Sequence, residues 1–305
     1  MNIRHAIVAC ILGASLGTSH AQEVTQTHQG LSLNANLELA DNKTLAEGVI
    51  LITHGGLAHN GMEFIRYLQT LLKARGHSSL AINLSLGLDN RHGMYDCSTP
   101  HRHRNSDAVD EIGLWMNWLQ AQGAKRVTLL GHSRGGAQTA LYAAERNDPR
   151  VQALVLLAPA IAENTSPETY QRIHQKPLKP LLNAAQAHIR AKNGGTVLKS
   201  VGLLNCSDTS ATAESFVSYY NQDPRLDTPY LIPRIRLPIL VLVAGSDAVV
   251  VKLENKLARL TNRPNMKMKI IEGADHTFRD LASDDATDAI DVFLKTASPA
   301  AGRTS

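Results

Sequence analysis

Four short segments carry the residue types that acyl chemistry needs. The first is Gly131-His132-Ser133-Arg134-Gly135-Gly136. It has the G-x-S-x-G spacing, which lifts a serine hydroxyl on a tight strand-to-helix turn whose crowded neighbours must lack Cβ. Chance alone supplies about 0.1 such matches in a chain of this length and ordinary composition. The weight therefore falls on what flanks the motif: the apolar run RVTLLG enters it and a small-residue helical pattern leaves it. The second segment is Gly273-Ala274-Asp275-His276-Thr277-Phe278, where His276 on a loop is free to act as a general base. The third is Ala244-Gly245-Ser246-Asp247. Its Asp247 is the candidate carboxylate to hold the imidazole in one tautomer and to stabilise the imidazolium. Glu163 is the reserve for that role, and Asp275, although adjacent to His276, points elsewhere. The fourth is Thr53-His54-Gly55-Gly56-Leu57. The backbone N–H of Gly56, with Leu57 next to it, and that of Arg134 are the candidate donors of an oxyanion hole. Together these residues describe a serine nucleophile, Ser133, working with His276 and Asp247 and needing no cofactor.

Such groups must be held where strands end, and the elements around them supply the ends. Residues 31–39 alternate apolar and polar, as a half-buried strand does. The continuous apolar run at 48–54 reads as a fully buried strand, 126–131 as another buried strand, and 79–86, 151–158, 238–245 and 266–272 as further strands. Between them lie helical patterns. One is marked by Ile65, Leu68 and Leu72 and stopped at Gly76. A second covers 107–122, with Val109, Ile112, Trp115 and Leu119 on one face. A third covers 134–146. Leu253, Leu257 and Leu260 mark a fourth, and a last helix is expected at 284–296, with Ser283 as its cap and Asp284 and Asp285 in its first turn. This alternation predicts an α/β fold, a doubly wound, mostly parallel sheet with helices on both faces. Residues 160–236 interrupt it with Pro167, Pro177, Pro180, Gly194, Gly195, Pro224, Pro229 and Pro233. They are expected to form a mostly helical cap over the carboxyl edge of the sheet.

Composition narrows the function. The chain has 305 residues and a formal net charge of +4, dispersed rather than striped, which argues against a nucleic-acid partner. The start reads as a signal peptide: Arg4 and His5, an apolar run from Ala6 to Leu16, then Ser19-His20-Ala21 before a cut at Gln22. The run falls short of the about 20 residues a bilayer crossing needs, so no stable membrane insertion is expected. The expected organisation is a signal peptide at 1–21, a core at 22–159 and 237–297, the cap at 160–236, and a disordered tail at 298–305. A periplasmic or secreted location follows. Cleavage removes Cys10 and leaves Cys97 and Cys206, an even pair that an oxidising compartment would bridge, stapling the cap to the rim. Near Cys97, residues His92, Asp96, His101 and His103 crowd one polar loop, 87–105. Their spacing matches no metal motif, so no metal is expected, and the HRHR run reads as a solvated basic rim.

Taken together, HGG at 54–56, GHSRGG at 131–136, AGSD at 244–247 and GADHTF at 273–278 resemble the α/β-hydrolase superfamily, in that family's chain order. The resemblance spans about 31–296. It implies an eight-stranded, mostly parallel sheet, a catalytic triad and a helical cap after the sixth strand, where 160–236 stands. The acid loop departs from the pattern in having only Ser246 between Gly245 and Asp247. The expected activity is hydrolysis of a small-molecule ester, short-chain esters first, through an acyl-enzyme on Ser133. Thioesters and amides remain open, as do acyl transfer, cofactor-free haloperoxidation and ligand binding without catalysis, because a fold does not choose among chemistries.

Overall fold

Apolar runs bounded by glycine become strands here because only a sheet with both faces covered can bury side chains pointing alternately up and down. The computed structural model describes residues 21–297. The expected signal peptide (all but Ala21) and the expected tail lie outside the described residues. The strands are Gln22–His28 (β1), Leu31–Glu38 (β2), Val49–Thr53 (β3), Ser79–Ile82 (β4), Val127–His132 (β5), Val151–Leu157 (β6), Val197–Leu203 (β7), Cys206–Thr212 (β8), Ile239–Ala244 (β9) and Met266–Ile271 (β10). Eight of them form one sheet in the order β1-β2-β4-β3-β5-β6-β9-β10. The strands from β4 to β10 in that order are parallel, and β1 and β2 close one edge antiparallel.

Pleating sends alternate residues to two separate cores. Ile50, Ile52, Val155, Leu240 and Leu242 face the core that holds Phe64, Ile65, Leu68 and Leu72 of Glu63–Ala74 (α1). Leu51, Leu80, Ile82, Leu129, Leu156 and Val241 face the other. That second core receives Val109, Ile112, Trp115 and Leu119 of Asp107–Ala121 (α2), and Ala140 and Leu141 of Ser133–Arg146 (α3). Each such side chain withdrawn from water contributes roughly 1.5–3 kcal/mol, which is what fixes the register of the strands.

The insertion between β6 and β9 holds Pro167–His174 (α4), Leu178–Arg190 (α5), Ala213–Tyr220 (α6) and Thr228–Leu231 (α7). It also holds the β7-β8 hairpin, which forms its own two-stranded sheet. Tyr170, Leu203, Phe216, Tyr219 and Tyr220 of the insertion belong to the same apolar core as α2 and α3. The rim is tied to it as well. The His101 N–H donates to the Ser210 carbonyl at 2.7 Å and the Thr212 N–H to the His101 carbonyl at 2.9 Å. Cys97 and Cys206 are joined by a disulfide, with their Cα atoms 5.5 Å apart. Leu253–Leu257 (α8) follows β9, and Leu281–Ala297 (α9) closes the chain, packing Ala286, Ile290 and Phe293 into the α1 core.

Several expectations are corrected. His101 and His103 are buried, not a solvated rim. Their rings turn inward because the insertion supplies partners: Ser215 Oγ at 2.8 Å from His101 Nδ1 and the Tyr219 hydroxyl at 3.0 Å from His103 Nδ1. Helix α9 begins before Ser283, which is buried inside it and donates to the Phe278 carbonyl rather than capping. Strand β4 stops at Ile82, where its pairing with β2 and β3 ends.

Candidate active site

The strand β5 runs into α3 with no loop between them, so the chain must reverse at one residue. That residue is Ser133, whose φ of 54° lies in the left-handed region. A non-glycine there costs about 1–3 kcal/mol and persists only where the surroundings enforce it. The glycines show the enforcement. A Cβ at Gly131 would sit 2.6 Å from the Gly135 carbonyl oxygen, and one at Gly135 would sit 2.1 Å from the His54 carbonyl oxygen. A Cβ at Gly55 would sit 2.7 Å from the Ser133 Cβ. The turn after β3 is therefore pressed against the serine turn, and glycine is required on both sides of the contact. The Ala160 N–H, after β6, holds the Ser133 carbonyl at 2.9 Å.

Loops after β9 and β10 bring the other groups. The Gly245 N–H donates to the Ile271 carbonyl at 2.9 Å and the Ser246 N–H to the Ala274 carbonyl at 2.8 Å, so the two loops are tied together. His276 Nδ1 lies 2.8 Å from Asp247 Oδ2, and His276 Nε2 lies 2.9 Å from Ser133 Oγ. An ionised carboxylate only accepts, so the proton sits on Nδ1 and Nε2 is left to accept from the serine hydroxyl. The other Asp247 oxygen accepts from the N–H groups of Val249 at 2.7 Å and Val250 at 2.9 Å. Burial pushes the Asp247 carboxyl up, but the bonds from His276, Val250 and Val249 outweigh it and hold the group below the usual carboxylate range. The acid loop, one residue shorter than the family pattern, still reaches the imidazole.

Glu163 does not approach His276; it pairs with Lys256. Asp275 turns to Thr277 and Arg279. The N–H groups of Gly56 and Leu57 make no hydrogen bond among the described residues. The first N–H groups of α3, Arg134 included, have no partner one turn back, as at any helix start. Gly56 has φ 45°, a backbone that glycine adopts without strain.

Two residues beyond those expected hold the site. His132 is buried between Phe64 and His276, and its Nε2–H donates to the His276 carbonyl at 2.8 Å. Burial, then the neighbouring His276 charge, pushes it down to about 3, so it remains a neutral strut. Arg91 reaches the carbonyls of Ala58 at 2.9 Å, Leu84 at 2.8 Å and Gly93 at 2.6 Å. It also donates to Nε2 of His54 at 3.2 Å, which fixes the turn after β3. His132 was legible only as the variable position of the motif. Arg91 sat unmarked in a polar loop whose folding no local pattern reveals.

The family model described as serine aminopeptidase, S33, matches residues 45–279. The chain belongs to that family, within the α/β hydrolases. Its structure is similar to Est1E from Butyrivibrio proteoclasticus, 18% identical, with 90% of this chain and 98% of that chain covered and a TM-score of 0.63. It is similar also to a monoacylglycerol lipase of Paleococcus ferrophilus, 20% identical over 87% of this chain and 99% of that one, TM-score 0.60. A Pyrococcus furiosus esterase is 15% identical over 92% and 91%, TM-score 0.61. No curated protein matches the chain. At these identities the structural likenesses speak to the fold alone, an α/β-hydrolase scaffold.

Proposed function

We propose that this protein is an exported carboxylic-ester hydrolase acting through an acyl-enzyme on Ser133. One observation carries the reading: a strained serine at a strand-to-helix turn, 2.9 Å from an imidazole that is itself 2.8 Å from a carboxylate. Ser133 Oγ attacks the ester carbonyl while His276 Nε2 takes its proton. The oxyanion forms facing the amides of Arg134 and of Gly56 or Leu57, each such donor being worth roughly 3–4 kcal/mol in the transition state. Collapse of the intermediate breaks the bond to the alcohol, which leaves with the proton held by His276. Water then attacks the acyl-serine with His276 again as base, releasing the acid and restoring the hydroxyl. Asp247 keeps the ring in the competent tautomer throughout.

The insertion at 160–236 acts as the cap that bounds the substrate, a small molecule. Est1E has been seen with ferulic acid bound, which favours a small acyl substrate here. An aminopeptidase would have to hold a free ammonium group. The charged side chain buried next to Ser133 is a cation, Arg134, which favours the ester. A bridged Cys97 and Cys206 fits a periplasmic or secreted location after cleavage at Ala21. The test uses p-nitrophenyl esters of graded acyl length with a p-nitroanilide control. Turnover should favour short esters and fall by several orders of magnitude in Ser133→Ala. No turnover, with no fluorophosphonate adduct on Ser133, would refute the proposal.

A further inference from the structure

Next to the nucleophile lies a charge that the reaction above leaves idle. The Arg134 side chain is 6% exposed. Among the described residues its guanidinium makes no hydrogen bond and no ion pair; its one contact of that kind is with the face of the Tyr219 ring, 5.9 Å from the centroid. Burial lowers its pKa, and the groups that oppose the shift are the phenols of Tyr219 and Tyr220, with no carboxylate among them. Both phenols are committed elsewhere: Tyr219 to His103 Nδ1 at 3.0 Å, and Tyr220, as acceptor, to the Leu204 N–H at 2.9 Å. Gln138, one turn further along the same face of α3, also leaves its buried Oε1 unpaired. Among the described residues the other buried arginine, Arg91, is satisfied by a ring of carbonyls, although Nε of half-buried Arg263 also lacks a partner.

An arginine this buried with no anion beside it is costly, and perturbed charges of that kind cluster at functional sites. Its planar fork of N–H donors suits a carboxylate, which accepts two parallel hydrogen bonds. The positive start of α3 adds to the same field. Arg134 is covalently adjacent to Ser133, and its guanidinium lies against the face of Tyr219 in the insertion. We infer that Arg134 reads a carboxylate on the substrate, so that the preferred esters carry a negative charge a few bonds from the bond that is cut. The backbone N–H of Arg134 serves the oxyanion and its side chain serves this remote anion. The inference rests on the hydrolase reading of Ser133, and the test separates the two.

The full chain is assayed with matched pairs of esters. In one arm the charge is on the acid side: p-nitrophenyl hemisuccinate and hemiglutarate against the butyrate and valerate. In the other it is on the alcohol side: the butyrate ester of 4-hydroxybenzoate against that of its methyl ester. In one arm the charged member should have a kcat/KM at least about tenfold higher, chiefly through KM. That ratio should collapse in Arg134→Gln and be partly kept in Arg134→Lys, whatever the absolute rates. Should the variants not fold, competitive inhibition of the wild-type protein by glutarate but not glutaramide carries the same content. Turnover with no charge preference in either arm, or a preference unchanged in Arg134→Gln, overturns the inference alone. No turnover of any ester and no fluorophosphonate adduct overturns the hydrolase reading and the inference with it.

Discussion

Replacing Gly135 by alanine tests whether the contact between the β3 turn and the serine turn is as tight as the geometry requires. The added methyl would meet the His54 carbonyl oxygen at 2.1 Å, the Thr53 carbonyl oxygen at 2.6 Å and the His54 carbonyl carbon at 2.8 Å. All three are backbone atoms, so no side chain can swing aside. Forcing volume into such a place costs about 1–3 kcal/mol and sometimes more, while alanine in a helix returns up to about 1 kcal/mol. The net loss expected is about 1–3 kcal/mol, since the contacts are all backbone and the cost lies at or above the upper end of that range. At about 2–4 °C per kcal/mol for a domain of this size, Tm should fall by roughly 2–12 °C. Activity should fall further than stability, because the displaced turn carries the Gly56 and Leu57 amides, and losing one oxyanion donor costs roughly 10²–10³ in kcat. Gly195→Ala is the control. A Cβ there meets nothing within 4 Å, so stability should stay within about 0.5 kcal/mol or rise slightly. Urea titrations of both variants, with ester turnover measured below the transition, decide the matter. Gly135→Ala with wild-type Tm and wild-type kcat would refute the reasoning.

Asp247→Asn should keep the fold but lower kcat by roughly 10³–10⁴, because the amide no longer selects the tautomer, whereas Glu163→Gln should stay within a few-fold; equal losses would contradict the assignment. Stability should fall as pH drops below about 6.5. His132 and His101 are each pushed down to about 3, by burial first and then by His276 and His103 respectively, and His54 lies well down through burial and then Arg91. Their folded pKa values lie below the unfolded ones, so the unfolded chain takes up the protons first. His132 and His101 then each remove at most roughly 1.4 kcal/mol per pH unit between about 6.5 and 3, His54 acts in the same direction, and urea midpoints that are flat from pH 7 to 5 would rule this out. Exposed His92, raised by Glu23, acts in the opposite direction but at the surface, where screening leaves little effect. Replacing both Cys97 and Cys206 by serine opens a link of sequence separation 109. It should cost up to about 4–5 kcal/mol in the chain-entropy view, seen as a lower urea midpoint that reductant reproduces in the wild type and leaves unchanged in the variant.

The parallel strands were legible because burial on both faces demands continuous apolar runs, and VILIT or ILVLVA can hardly be anything else in an α/β chain. Of the three groups the candidate site brings together, Ser133 and Asp247 stood out because each follows such a run, and His276 because it follows the last strand, the half-exposed edge strand β10. What escaped was whatever depends on partners distant in sequence. The edge strand β1, QEVTQTH, is mostly polar, since an edge facing water has little to bury. The β7-β8 hairpin is broken by register shifts that erase the period of two. His101 and His103 looked like surface residues, but an insertion more than 100 positions away covers them. Arg91 carries no local signal at all, because its meaning lies in the carbonyls that fold around it.

The most direct measurement is to quench the protein during turnover of p-nitrophenyl butyrate and map the acylated peptide by mass spectrometry. A butyryl group on Ser133, absent in Ser133→Ala and accumulating when deacylation is slowed, is the expected result. Turnover that persists in Ser133→Ala, or an acyl group found on another residue, would contradict the account.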